Sequence, residues 1–285
     1  MSGLALPFFC CYAIGLPMPT KYFEIAGYAV NLLHTGATTL PAVPPDLGRG
    51  KCLVFLHGAG STGAVWQRQL SHFASRHSPI AFDWPGHGRS SGTEALPSIE
   101  SYADCTLALL DRLGIERAVI VGTSMGGLVA LDLALRAPRR VDALVLVSTA
   151  AKVSPPAEMV ESWRQVMTGR AAQPFTPFGY GDNVPFELMR EGWELQVRTD
   201  PRVRYFDLVI AQRPDYRARL AEIRKPALVV HGSKDPLVTP AESALLTAGI
   251  AGAERAEIEG GGHFLYRERP EALHAAIDAF LEKLP

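Results

Sequence analysis

Apolar positions along the chain fall into two kinds of run. Five short stretches, Cys52 to Leu56, Pro79 to Phe82, Ala118 to Val121, Ala143 to Val147 and Ala227 to Val230, are apolar at every position. That pattern predicts strands buried on both faces of a parallel sheet. Ahead of them, Tyr22 to Ile25 and Tyr28 to Leu33, joined at Ala26-Gly27, predict a hairpin. Between the strands, apolar residues recur at helical spacing. Tyr102, Leu109, Leu110 and Leu113 share one face, and Leu128, Leu131 and Leu135 share another before Pro138. After Pro270, a stripe of Leu273, Ile277, Phe280, Leu281 and Leu284 is expected to face inward, with Glu268, Glu271 and Asp278 in water. Strand and helix thus alternate, and each strand runs into a loop. The expected fold is α/β, a doubly wound, mostly parallel eight-stranded sheet whose function-bearing edge lies at the strands' carboxyl ends.

One segment breaks the alternation. From Lys152 to Arg219 there is no buried-strand run, only helical material interrupted by Pro155, Pro156, Pro174, Pro177, Pro185, Pro201 and Pro214. It reads as a helical cap, 152–219, inserted over the sheet edge, with 1–151 and 220–285 forming the core. Trp163, Met167, Phe178, Phe186 and Met189 of the cap are candidates for an apolar, adaptable pocket or for the cap's own core. Arg164, Arg190, Arg198 and Arg204 could meet a substrate carboxylate, but four arginines on a cap read more simply as solvated charge.

Composition narrows the function classes. The 285 residues are 47% apolar and 20% charged, with a formal net charge of −1, which suits a globular protein and supplies no electrostatic case for nucleic acid or an anionic membrane. The apolar stretch Leu4 to Leu16 is shorter than a bilayer span, and its first basic residue, Lys21, follows it; an arm packed on the domain is expected rather than a secretion signal. The cysteines at 10, 11, 52 and 105 have no C-x-x-C spacing, so no metal site is expected, and free thiols suit a cytoplasmic location. Nothing in the sequence sets the oligomeric state.

The chemistry begins at Gly122-Thr-Ser-Met-Gly126. The match follows an apolar strand and precedes an amphipathic helix, the setting in which a serine is thrust out on a strained turn. Side chains at 122 and 126 would collide where strand and helix crowd together. A serine hydroxyl needs a base. Of eight histidines, His263 stands apart: it follows Gly260-Gly-Gly262 and lies between a strand at Glu254 to Ile258 and the last helix. His57, His87 and His231 each precede glycine and read as turn-shaping residues with local hydrogen bonds. The acid that would hold the imidazole is Asp235, at the end of the strand before that of His263. Asp83 also ends a strand, but its D-x-P-G-H-G-R-S setting predicts a carboxylate bonded to backbone amides.

Five motifs in order, H-G-A-G at His57, D-W-P-G-H-G-R-S at Asp83, G-T-S-M-G-G around Ser124, H-G-S-K-D at His231 and G-G-G-H at Gly260, make the chain from Tyr22 to Leu284 resemble the α/β-hydrolase fold superfamily, in its serine-nucleophile, capped, esterase- or lactonase-like branch. The order Ser124, Asp235, His263 is the order of that fold. The resemblance implies an oxyanion hole from the backbone N–H groups of Ala59 and Met125. It also implies cofactor-free hydrolysis of a small-molecule ester, lactone or thioester. The methionines and aromatics of the cap, where they line a pocket, predict a preference for small to medium apolar acyl esters over charged or polymeric substrates. Cofactor-free peroxidase chemistry and a small-molecule receptor of the same fold are the alternatives the resemblance leaves open.

Overall fold

The computed structural model describes residues 18–285. The arm predicted from Leu4 to Leu16, with Cys10 and Cys11, lies outside them. Eight strands form one sheet: β1 (Thr20–Ile25), β2 (Tyr28–His34), β3 (Cys52–Leu56), β4 (Ser78–Phe82), β5 (Ala118–Thr123), β6 (Val141–Val147), β7 (Ala227–Gly232) and β8 (Glu254–Ile258). Their spatial order is β1-β2-β4-β3-β5-β6-β7-β8. The β1–β2 hairpin pairs antiparallel and β2 meets β4 antiparallel, while every pairing from β4 onward is parallel. The expected architecture is therefore observed.

Alternation along each central strand divides the core in two. Val54, Leu56, Ile80, Phe82, Ile120, Leu144, Leu146 and Val229 point to one face, where they meet α2 (Ile99–Leu113) and α3 (Met125–Arg136). Leu53, Phe55, Ala81, Val119, Val121, Val145, Val147 and Val230 point to the other, against α1 (Gln67–Phe73) and the C-terminal helix. Each Val, Leu, Ile or Phe among them gains about 1.5–3 kcal/mol from leaving water, which is why continuous apolar runs become central strands. Ser98 caps α2 by accepting the Ser101 N–H, and Gly114 ends it in the left-handed region. Among the described residues no helix is long and apolar enough to cross a membrane.

Between β6 and β7 the chain leaves the sheet and forms α4 (Ala157–Met167), α5 (Phe186–Gln196) and α6 (Pro201–Ala211). It returns through a short 3₁₀ turn, and α7 (Pro240–Gly249) then links β7 to β8. The C-terminal pattern needs one correction. Glu268 does not continue the wet face of the last helix; it closes a separate turn, α8 (Leu265–Glu268), ahead of α9 (Pro270–Leu281). Arg269 leaves helical geometry at φ −138°, ψ 53°, so Glu268 is out of register with α9 and is buried.

Candidate active site

Ser124 sits between β5 and α3 with φ 53° and ψ −120°, a conformation that costs a non-glycine residue about 1–3 kcal/mol unless the surroundings enforce it. Here they do. The Ser124 N–H donates to the Val147 carbonyl at 3.1 Å, and the Ser124 carbonyl accepts the Gly127 N–H at 2.9 Å and the Thr149 hydroxyl at 2.8 Å. A Cβ at Gly122 would lie 2.3 Å from the Gly126 carbonyl oxygen, and one at Gly126 would lie 2.5 Å from that of Leu56. The crowding expected of the two glycines is real, and it holds the serine out of the helix line.

Asp235 follows β7 and is buried. Its Oδ1 accepts the Leu237 and Val238 N–H groups at 2.8 and 3.0 Å, and its Oδ2 lies 2.9 Å from His263 Nδ1. Two backbone donors fix the carboxylate, and the carboxylate fixes the ring with Nδ1–H toward it, leaving Nε2 as an acceptor. The His263 loop is itself held. Its N–H donates to the Gly179 carbonyl at 2.7 Å, and Glu268 accepts the Gly181, Gly262 and Phe264 N–H groups at 2.8 to 2.9 Å. Glu268 is thus a supporting residue the sequence pattern assigned to water; its only signal was its position just past the Gly-Gly-Gly-His run.

Ser124 and His263 open on one cavity of about 550 Å³, whose wall also includes Gly58, Ala59, Trp163 and Arg204. No hydrogen bond joins the serine hydroxyl to the imidazole in this state, a loose arrangement common before substrate draws such a pair together. Ala59 lies on the loop after β3; the Gly60 N–H beside it donates to Asp207 at 2.7 Å, while its own N–H meets no acceptor among the described residues. Met125 opens α3, where position alone leaves its N–H without an intrahelical partner, and its side chain belongs to the core. A hydroxyl and an oriented imidazole beside the Ala59 loop on one cavity are parts that acyl transfer can use.

Of the five apolar pocket candidates, Trp163, Phe178 and Met189 line this cavity. Phe186 and Met167 do not. Phe186 is 57% exposed and its ring lies 5.5 Å from that of Phe175, tilted by 60°, since its position at the start of α5 turns it to the outer surface. Met167, in the last turn of α4, is half-buried away from the cavity wall. Asp83 behaves as expected: it accepts the Gly63 and Arg89 N–H groups at 2.7 and 2.9 Å, and Asn31 Nδ2 at 3.0 Å.

His87 does more than shape its turn. Its Nδ1 meets the Pro85 carbonyl at 3.0 Å, but its Nε2 lies 2.7 Å from Asp207 on α6, and both side chains are fully buried. Asp207 also accepts the Tyr102 hydroxyl at 2.5 Å and the Gly60 N–H. Burial opposes charge on both partners, yet their mutual attraction wins: His87 is pulled above its ordinary pKa and Asp207 below its own. Neighbouring His57, 4.9 Å from the His87 ring, is pushed down to about 3, first by burial and then by His87. Asp207 went unnoticed in the sequence, although an acid flanked by Tyr205, Phe206, Leu208 and Val209 was a visible signal of a buried polar anchor.

With this geometry in view, comparison with known proteins is informative. The alpha/beta hydrolase family matches residues 53–276, so the chain belongs to that family. It is 28% identical over 275 residues to a 3-oxoadipate enol-lactonase of Acinetobacter baylyi, covering 93% of this chain and 99% of the relative. It is 32% identical over 272 residues to a 2-hydroxy-6-oxononadienedioate/2-hydroxy-6-oxononatrienedioate hydrolase of Paraburkholderia phymatum, covering 88% and 94%. Among solved structures, the enol-lactonase from Burkholderia xenovorans superposes with a TM-score of 0.80 at 26% identity, covering 92% of this chain and 100% of the other. These relatives are hydrolases, and hydrolysis is the activity class they support for this chain.

Proposed function

We propose that the protein is a serine hydrolase that cleaves small-molecule carboxylic esters, or lactones and thioesters, by acyl transfer through Ser124. The observation that carries this reading is the 2.9 Å contact between buried His263 Nδ1 and Asp235, on a cavity shared with a serine held at φ 53°. His263 Nε2 takes the Ser124 proton as Oγ attacks the carbonyl carbon, and Asp235 stabilises the imidazolium. The tetrahedral oxyanion accepts the N–H groups of Ala59 and Met125, each such donor contributing about 3 kcal/mol. His263 then protonates the leaving oxygen, and water repeats the sequence on the acyl-enzyme. The insertion from 152 to 219 acts as a cap, with Trp163, Phe178 and Met189 supplying its apolar wall. The likeness to enol-lactonases supports lactones beside open-chain esters. Free Cys52 and Cys105, both raised to about 12 chiefly by burial, are inert thiols that suit a cytoplasmic enzyme.

A panel of acyl esters, lactones and thioesters assayed beside Ser124→Ala tests the reading. We expect turnover with at least one class and a loss in kcat of about 10⁴ or more in the variant. Undiminished turnover by Ser124→Ala would remove the serine from the mechanism.

A further inference from the structure

Of the four arginines that the sequence places in the cap, three are accounted for. Arg164 pairs with Glu161 at 2.7 Å, Arg190 lies 3.5 Å from Glu194, and Arg198 is exposed. Arg204, on α6, is different. It is the one arginine or lysine among the described residues lining the Ser124 cavity. Its guanidinium carbon stands 4.3 Å above the centre of the Trp163 ring, a cation–π contact that restrains the group. Its stem rests on the loop that carries Ala59. Gly60 has φ +58°, and a Cβ there would lie 2.3 Å from Arg204 Cγ, so the glycine makes room for the arginine.

Among the described residues this arginine forms no ion pair, although the Asp207 carboxylate is near enough to favour its charge. No carboxylate among the described residues pairs with it, and its Nε is shielded from water without a hydrogen-bond partner. A terminal nitrogen only reaches the Gly60 carbonyl, at 3.5 Å. Asp207, one helical turn on, spends its oxygens on His87, Tyr102 and the Gly60 N–H. Glu158 also lines the cavity, but it is exposed and makes no ion pair with Arg204. A buried donor left unmatched is costly, and burial holds the Arg204 pKa down at about 10, still fully cationic at neutral pH.

We propose that Arg204 binds a carboxylate on the substrate, so that the natural ester or lactone carries one negative charge a short chain away from the scissile carbonyl. This rests on the hydrolase reading above and amends its preference for uncharged acyl groups: the body of the substrate is apolar, one end is not. Trp163 covers the guanidinium on one side, and a guanidinium offers paired N–H groups that suit a two-pronged contact with a carboxylate. The spacer is short because Gly58, whose Cβ would lie 3.3 Å from that of Ser124, and Gly60, under Arg204, are two residues apart. Their Cα atoms are at most about 7 Å apart. A single cation in a mainly apolar cavity matches a monoanionic carboxylate better than a dianionic phosphate, which would keep an uncompensated charge out of water.

The test compares monomethyl glutarate with methyl pentanoate, a neutral ester of matching length. In the wild type, kcat/KM should favour the anionic ester about 10- to 100-fold, the worth of a charge-assisted hydrogen-bonded contact. Arg204→Met, which keeps the stem on Gly60, should collapse that ratio toward one through KM, and Arg204→Lys should restore part of it. Equal efficiencies in the wild type, or a ratio that Arg204→Met leaves unmoved, would overturn the proposal while leaving the hydrolase reading intact. Calorimetric titration with pentanoate, a monoanion, separates the two failures. Binding by the wild type that Arg204→Met loses supports the anion site even where neither ester is turned over, an outcome that counts against hydrolysis instead. Absence of pentanoate binding sinks the site.

Discussion

Helix α3, which starts just after Ser124, has 12 residues and buries ten of them, whereas α5 of the insertion has 11 and buries only Gly192. The two regions face each other across one cavity but are held by different forces. Behind Ser124, packing decides everything: apolar strand, tight turn and apolar helix leave the serine a single position. In α5 few side chains are removed from water; α6 buries Val203, Ile210 and Ala211, and polar anchors add to that packing in holding the insertion over the sheet. Asp207 ties α6 to the loops after β3 and β4, and Glu268 ties the 179–182 segment to the His263 loop. A site can therefore be half rigid by packing and half rigid by a handful of buried hydrogen bonds, and the halves should fail differently.

The largest effect is expected on the packed side. Asp235→Ala should lower kcat by about 10⁴ with little change in KM, because the imidazole loses its tautomer and its countercharge. Steady-state kinetics checks this, and a KM effect without a kcat effect would assign Asp235 to binding instead.

On the anchored side, Asp207→Asn should act first on stability. Removing one charge of a buried pair strands the other, at a cost of about 3–5 kcal/mol, readable in urea unfolding. The Gly60 N–H loses a charged acceptor at the same time, so kcat should also fall through the neighbouring Ala59. The pH dependence of the stability difference sharpens the point. His87 is raised above its ordinary 6.5 by Asp207, so its contribution is complete below 6.5 and is lost as pH climbs through the raised value. Asp207 is lowered below its ordinary 3.8, so its contribution is complete above 3.8 and is lost as pH falls through the lowered value. The gap between wild type and Asp207→Asn should be widest from about pH 4 to 6.5 and should narrow on either side. A gap independent of pH would mean that the pair is not charged.

The smallest effect concerns the outer face of the insertion. Phe186→Ser should change stability by no more than about 0.5 kcal/mol, as expected at a surface position, and should leave kcat/KM within about twofold. A large rise in KM would bring Phe186 back into the substrate path and weaken the contrast between inner and outer faces of the cap.

The sequence was most legible where local and tertiary requirements coincide. A run such as Ala118 to Val121 can be buried only as a central strand, and Gly122 and Gly126 can be explained only by close approach, so the sheet, its helices and the positions of Ser124, Asp235 and His263 at strand ends followed from short segments. In the insertion that coincidence lapses. Met167 and Phe186 have the same chemistry as Met189 and Phe178, and which of them reaches the cavity depends on how α4 and α5 are rotated, a matter of tertiary docking that periodicity in half-exposed helices does not encode.

The chain alone thus determined the architecture and the three loops that present a hydroxyl, an imidazole and a carboxylate, because apolar runs and glycines act over a few residues at a time. Only the folded structure decided that Asp207 and Glu268 turn inward and that Arg204 forms no ion pair among the described residues. Those outcomes depend on partners up to 147 residues away, as from Gly60 to Asp207, and on whether water can reach a charged group, which no local pattern records.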